Sequence, residues 1–142
     1  MTARLQLTPE EQHQLLGDLT QLLTGVLPED WKQLIIDYRQ VGNHVHVAVG
    51  VRKPDGDLQL WEPPEEAWFY FQKLRHGMYS AERGTWFSMR FIIDPPHNFQ
   101  VQYNYRNLPD WGDAPADDFR LDLERYPRSK DNIPEWFSAK LG

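Results

Sequence analysis

"QLIIDYRQVGNHVHVAVGV", residues 33–51, decides the fold. Its first nine residues are rich in β-formers, and Gly42-Asn43 is a turn signal. From His44 the chain alternates. Val45, Val47, Val49 and Val51 share one face, and His44, His46, Ala48 and Gly50 share the other. A period of two is the mark of a half-buried strand. Two such runs across a two-residue turn predict an antiparallel pair. Lys53-Pro54-Asp55-Gly56-Asp57 is the next turn, and Leu58 to Trp61 makes a short third strand. The centre of the chain is therefore a meander.

Working outward, the N-terminal side opens a helix at Thr8-Pro9-Glu10-Glu11. Thr8 caps, Pro9 suits the first helical position, and Glu11 completes a capping box. Leu15, Leu16, Leu19, Leu22, Leu23 and Val26 recur at helical spacing and form one core stripe, ending near Gly25 to Pro28. On the C-terminal side, Pro63-Pro64-Glu65-Glu66 opens a second helix with acids in its first turn. Trp68, Phe71, Leu74, Arg75 and Met78 lie on its stripe, while Phe69 and Tyr70 lie off it. Such a wide apolar arc is either packed on two sides or partly exposed as a contact surface.

Thr85 to Ile93 is a strong strand, Asp94 to Asn98 a turn, and Phe99 to Tyr105 the returning strand. Phe99, Val101, Tyr103 and Tyr105 form its apolar face, and Gln100, Gln102 and Asn104 its polar one. Beyond it, Phe119, Leu121 and Leu123 permit a short helix or an extended edge, and Pro134-Glu135-Trp136-Phe137 a last helical turn. The order predicts one α+β domain over residues 1–142. It has an antiparallel sheet of about five strands with helices packed on it and a helical or irregular tail.

Composition bounds the function. The 142 residues are 40% hydrophobic and 25% charged, a globular balance with no repeat. With no cysteine there is no disulfide framework, no Cys-ligated zinc and no thiol nucleophile. The start has no signal-peptide core, and no run approaches the ~20 apolar residues of a membrane span. A cytoplasmic protein is expected.

The charge distribution says more than the net −6. Residues 108–124 hold six acids and one base, so one short segment carries most of the imbalance. An acidic surface repels phosphate backbones, which disfavours nucleic acid as a partner. It attracts a basic partner and speeds the encounter. Within this segment Asp110, Asp113, Asp117 and Asp118 surround Trp111. That composition is either a solvated charged loop or an interface, with Trp111 as anchor and the acids as rim.

Evidence for catalysis is thin. His44-x-His46 could bite a metal from one strand face, with His76, His97 or Asp94 as a third ligand, but no spacing links them. The acid pairs Glu65-Glu66, Asp55/Asp57 and Asp117-Asp118 include plain turn and helix-start residues. No G-x-S-x-G, G-x-G-x-x-G or P-loop is present. No catalytic residue, metal or cofactor is assigned. The alternative is a small enzyme or ligand-binding domain with an aromatic-lined pocket, where His44, His46 or His97 would supply polar groups.

The pattern Trp86-x-x-Met89-x-Phe91, a turn, then Phe99-x-x-x-Tyr103-x-Tyr105-x-x-Leu108 resembles the YezG-like immunity proteins. The early "LPEDWKQL" stretch is similar to that family's P-x-x-W. The likeness covers most of the chain. One departure is that Asn104 and Arg106 stand where the family often carries acids, which here begin at Asp110. The resemblance implies an antitoxin without chemistry of its own, a cytoplasmic guard that binds the toxin domain of a polymorphic toxin. Many such toxins are nucleases with basic clefts, which an acidic inhibitor can occupy. Asp110, Trp111, Asp113, Asp117 and Asp118 are the expected contact residues.

Overall fold

The computed structural model describes residues 6–142. The reading of the extreme N-terminus as lacking a signal-peptide core lies partly outside them. The meander is β1 (Gln33–Val41), β2 (His44–Arg52) and β3 (Leu58–Leu60), and the hairpin is β4 (Ser88–Asp94) with β5 (Asn98–Asn104). β1 pairs with β4, so the two units merge into one antiparallel sheet of order β3-β2-β1-β4-β5. The register shows why the alternation was informative. Val51, Leu34, Ile93 and Phe99 line up across four strands, as do Val49, Ile36, Phe91 and Val101. Each row puts apolar side chains on the same face of the pleat.

Helices α1 (Pro9–Thr24) and α2 (Glu66–Gly77) cover that face. Thr8 caps α1 as expected. Its hydroxyl accepts from the Glu11 amide and the Glu11 carboxylate accepts from the Thr8 amide. Leu16, Leu19 and Leu23 of α1 and Ala67, Phe71 and Leu74 of α2 are buried against Leu34, Ile36, Tyr38, Val51, Met89, Phe91 and Ile93. Burying each large apolar side chain is worth roughly 1.5–3 kcal/mol. The apolar stripe of α1 ends sooner than its leucine spacing predicts, because Val26 follows the end of the helix and is 51% exposed. Val45 and Val47 are also exposed, because the cluster under α1 and α2 does not extend over the start of β2. Phe69 is exposed, so the wide arc of α2 is not packed on two sides.

The C-terminal tail is helical. α3 (Ala116–Arg125), a 3₁₀ turn (Lys130–Asn132) and α4 (Glu135–Leu141) close around a second apolar cluster at one end of the sheet. Val41, Phe87, Trp111, Ala114, Phe119 and Phe137 are its buried members. Val41 falls on the odd-numbered face of β1, opposite the face that carries Leu34, Ile36 and Tyr38. β4 begins three residues later than predicted. Thr85, Trp86 and Phe87 enter the core before the strand proper, and all three are buried. Among the described residues no helix is long and apolar enough to cross a membrane.

Candidate functional site

Residues 108–124 leave the end of β5, cross the end of the sheet and become α3. Trp111 is the pivot of this crossing. Its indole is 2% exposed and meets Phe87 edge-on at 6.1 Å, Phe119 at 5.8 Å and Trp136 at 5.8 Å. Its carbonyl accepts a hydrogen bond from His44 Nε2 at 2.6 Å. Gly112, with φ of +73°, turns the chain directly afterwards. This corrects the expectation that Trp111 anchors a partner. A tryptophan in a run of acids looks like an interface residue, but the hairpin end and the two C-terminal helices leave an apolar hole that the indole fills.

The acids divide by direction. Asp110, Asp113 and Asp117 are exposed, and among the described residues Asp117 pairs only with Arg120, its neighbour on the same helix, at 2.6 Å. Asp118 is half-buried, and its Oδ1 accepts from the Asn43 amide at 2.8 Å. One turn further along α3, Asp122 is 2% exposed and its Oδ1 accepts from the Gly42 amide at 2.9 Å. Two carboxylates spaced i, i+4 on one helix face thus grip the two turn residues between β1 and β2. Gly42 has φ of +57°, and a Cβ there would collide with the Asp118 backbone. The fit of α3 onto this turn requires glycine.

Asp122 has a second partner. Arg75 of α2 is 2% exposed, and its Nη1 lies 2.8 Å from Asp122 Oδ1 while its Nε donates to the Trp86 carbonyl at 2.9 Å. This buried pair ties α2, α3 and the entry to β4 together. Sequence reading missed the pair but held its signal, a charged residue on the apolar stripe of a helix. Arg128 extends the network. It donates to the carbonyls of Tyr105 (3.1 Å), Asn132 (3.2 Å) and Thr85 (2.6 Å), and its guanidinium lies 4.4 Å from the Phe87 ring centroid. Burial pushes the Arg128 guanidinium down to about 10, partly countered by the nearby Asp122 charge.

The histidine pair is occupied within the fold. His44 holds the Trp111 carbonyl, and His46 Nδ1 accepts from Arg39 Nη1 at 3.0 Å. Among the described residues no three His, Cys, Asp or Glu side chains converge as metal ligands. The aromatic-lined pocket of the alternative reading has its nearest counterpart between α1 and α2. This groove of about 650 Å³ is lined by Leu7, Leu15, Phe69 and His76 among others. Of its lining among the described residues, only Phe69 and His76 carry rings, and neither His44, His46 nor His97 reaches it. No family model matches the chain, and no curated protein is significantly similar to it.

Proposed function

We propose that the chain is an immunity protein that binds a bacterial toxin domain and neutralises it by setting an acidic face against a basic cleft. The observation that carries this reading is the division among the acids. Asp110, Asp113 and Asp117 are exposed, on a segment pinned by buried Trp111, by Asp118 on Asn43 and by Asp122 on Gly42. Like charges held together on a fixed frame cost self-repulsion in the free protein, and a cationic partner relieves it. A frame that does not reorganise also lowers the entropy lost on binding. In this reading the three exposed carboxylates steer and meet the partner. Trp111 and Asp118 position the segment and touch nothing outside the chain.

The test is the association rate with a cognate toxin domain, measured at low and high salt. Replacing Asp110, Asp113 and Asp117 together by asparagine should slow association about tenfold at low salt and flatten its salt dependence. An unchanged rate and an unchanged salt slope would remove this face from the contact.

A further inference from the structure

Strand β2 has one side unfilled. β3 pairs only with Gly50, Val51 and Arg52, so from His44 to Val49 the outer edge of β2 has no strand beside it among the described residues. The direction of the backbone groups on that edge follows from the ladder. Arg52 turns its carbonyl to the Lys32 amide on the β1 side, and Lys53 turns its amide to the Asp57 carbonyl on the other. Successive residues of an antiparallel strand point their N–H and C=O groups to opposite sides. His44, His46 and Ala48 therefore bond to β1, while Val45, Val47 and Val49 aim theirs at the open edge. The Gln40 amide, opposite Val45, agrees with this alternation by pointing away from β2, to the Phe87 carbonyl.

The side chains leave this edge unguarded. Val45 and Val47 are 43% and 37% exposed, and neither belongs to the cluster under α1 and α2. HVHVAV, residues 44–49, holds no Asp, Glu, Lys or Arg and no proline. Charges and prolines are the devices that keep a sheet edge from pairing. The opposite edge of the sheet differs. Phe99, Val101 and Tyr103 of β5 pack against the larger cluster, and His13 of α1 lies over Phe99 with ring centroids 5.5 Å apart. The β2 edge thus presents free backbone and bare apolar side chains together.

We infer that this edge pairs with the same edge of a second copy of the chain, antiparallel and two-fold symmetric, with His46 on the axis. The stretch is complementary to itself. Centred on His46, Val45 faces Val47 of the second copy and Val47 faces its Val45. Each such pair exchanges two backbone hydrogen bonds and packs β-branched side chains together. This register also clears β3, because it sets Asn43 of one copy level with Val49 of the other, one residue short of the Gly50–Leu60 pair. Charge favours the same arrangement. A chain of net −6 repels its copy over most of its surface, but this stretch is uncharged. Asp118 docks the acidic segment on the turn at Asn43. Antiparallel pairing sends the two turns roughly 20 Å apart along the strands, beyond the ~8 Å screening length of physiological salt. The contact uses none of Asp110, Asp113 and Asp117, so it stands whether or not those acids meet a toxin. One strand pair is a small contact, and interfaces below ~1,200 Å² belong to weak associations, so the dimer forms at micromolar rather than nanomolar concentration.

The experiment uses the full chain with no other protein. Sedimentation velocity over roughly 5–500 µM should show monomer passing to dimer. Over the same range, hydrogen exchange at the Val45 and Val47 amides should slow about tenfold. The His46 and Ala48 amides, already bonded to β1, should not change. Val47→Pro deletes an outward donor and costs the β1–β2 ladder no bond. His46→Lys, at an exposed position, sets two ammonium groups side by side on the axis. Each variant should weaken the dimer at least about tenfold while its circular dichroism matches the wild type. A chain that is monomeric throughout overturns the proposal, and protection of the same amides only on adding a toxin domain would give the edge to that partner instead. A dimer whose Val45 and Val47 amides exchange as freely as in the monomer, or one undiminished in both variants, overturns it as well.

Discussion

The two apolar clusters of this molecule are built by different means. The larger one lies between the sheet and α1 and α2, and it is made by periodicity. Leu34, Ile36 and Tyr38 alternate on β1, Met89, Phe91 and Ile93 on β4, and leucines recur along α1. The smaller one, around Trp111, is made by single large residues from five places in the chain, namely Val41, Phe87, Trp111, Phe119 and Phe137. Its rings meet mostly edge-on, as between Phe87 and Trp111, or tilted, as between Phe87 and Phe137. A periodic core needs only the right pattern. The other needs particular side chains in particular positions, and it is held at its border by charged groups, Asp118, Asp122, Arg75 and Arg128.

The sharpest way to break this comparison is to empty the smaller cluster. Trp111→Ala should cost about 4 kcal/mol, as much as Phe71→Ala in the larger one, because each leaves a cavity where a fully buried ring stood. Urea unfolding followed by circular dichroism measures both. A cost below about 1 kcal/mol for Trp111→Ala would mean that the C-terminal helices dock loosely and the acidic segment is not a fixed frame. Next in size is Asp122→Asn, expected to cost about 3 kcal/mol by leaving the Arg75 charge buried without a counter-charge. If it costs no more than a surface change, the charged border is not what joins α3 to α2.

The same difference explains what could be read from the sequence. The strand order within the meander, the hairpin, both long helices and the Thr8 capping box follow from patterns that repeat over several residues. The docking of α3 and α4 does not. Phe119, Leu121 and Leu123 fit a short helix or an edge strand equally well, and only contact with Val41 and Phe87 selects the helix. The candidate site was half readable. Charge counting found Asp110, Asp113, Asp117 and Asp118, but it gave no direction to any of them. Trp111 was misassigned because an indole among acids has the same local composition whether it points out or in. Asp122 and Arg75 were visible as an acid four residues beyond Asp118 and a base on an apolar stripe, and they become a pair only when α2 and α3 meet.

Gly42 tests the join between the two regions. Gly42→Ala places a methyl against the Asp118 backbone at a positive φ, and the strain should cost about 2 kcal/mol. Thermal melts of this variant should show α3 loosened while β1 and β2 remain paired. Insensitivity would mean that the turn and α3 adjust independently.

Alkaline pH acts on the two regions with opposite sign. Burial pushes the hydroxyls of Tyr38 and Tyr103 up to about 12 in the larger cluster. In the unfolded chain they ionise near 10. Between these values the unfolded state sheds protons that the folded state keeps, so stability falls as pH rises. Arg128, at the smaller cluster, does the reverse. Its folded value of about 10 lies well below the ordinary guanidinium value that holds in the unfolded chain, so the folded state sheds its proton first and stability rises. The two effects partly cancel in the wild type. The Tyr38→Phe, Tyr103→Phe double variant weakens the first, leaving only the upward shift of the half-buried Tyr105 hydroxyl among these three, and should lose less melting temperature between pH 10 and 12. Parallel pH profiles for the two proteins would contradict this assignment.

The smallest effects on folding are expected within the acidic segment, and they separate its two kinds of aspartate. Asp113→Asn removes an exposed charge and should change stability by less than about 0.5 kcal/mol. Asp118→Asn keeps an oxygen that can still accept from the Asn43 amide, but a neutral acceptor is weaker than a charged one, so a loss of about 1 kcal/mol is expected. The same two changes should rank in the opposite order for association with a basic partner. Asp113 presents its full charge to solvent, whereas the Asp118 charge is half-buried and turned toward the β1–β2 turn. Urea midpoints and low-salt association rates measured on the same two variants give both rankings. If Asp118→Asn slows association as much as Asp113→Asn does, inward and outward carboxylates are not distinct in function. The contact face would then extend over the start of α3 onto the turn at Gly42-Asn43.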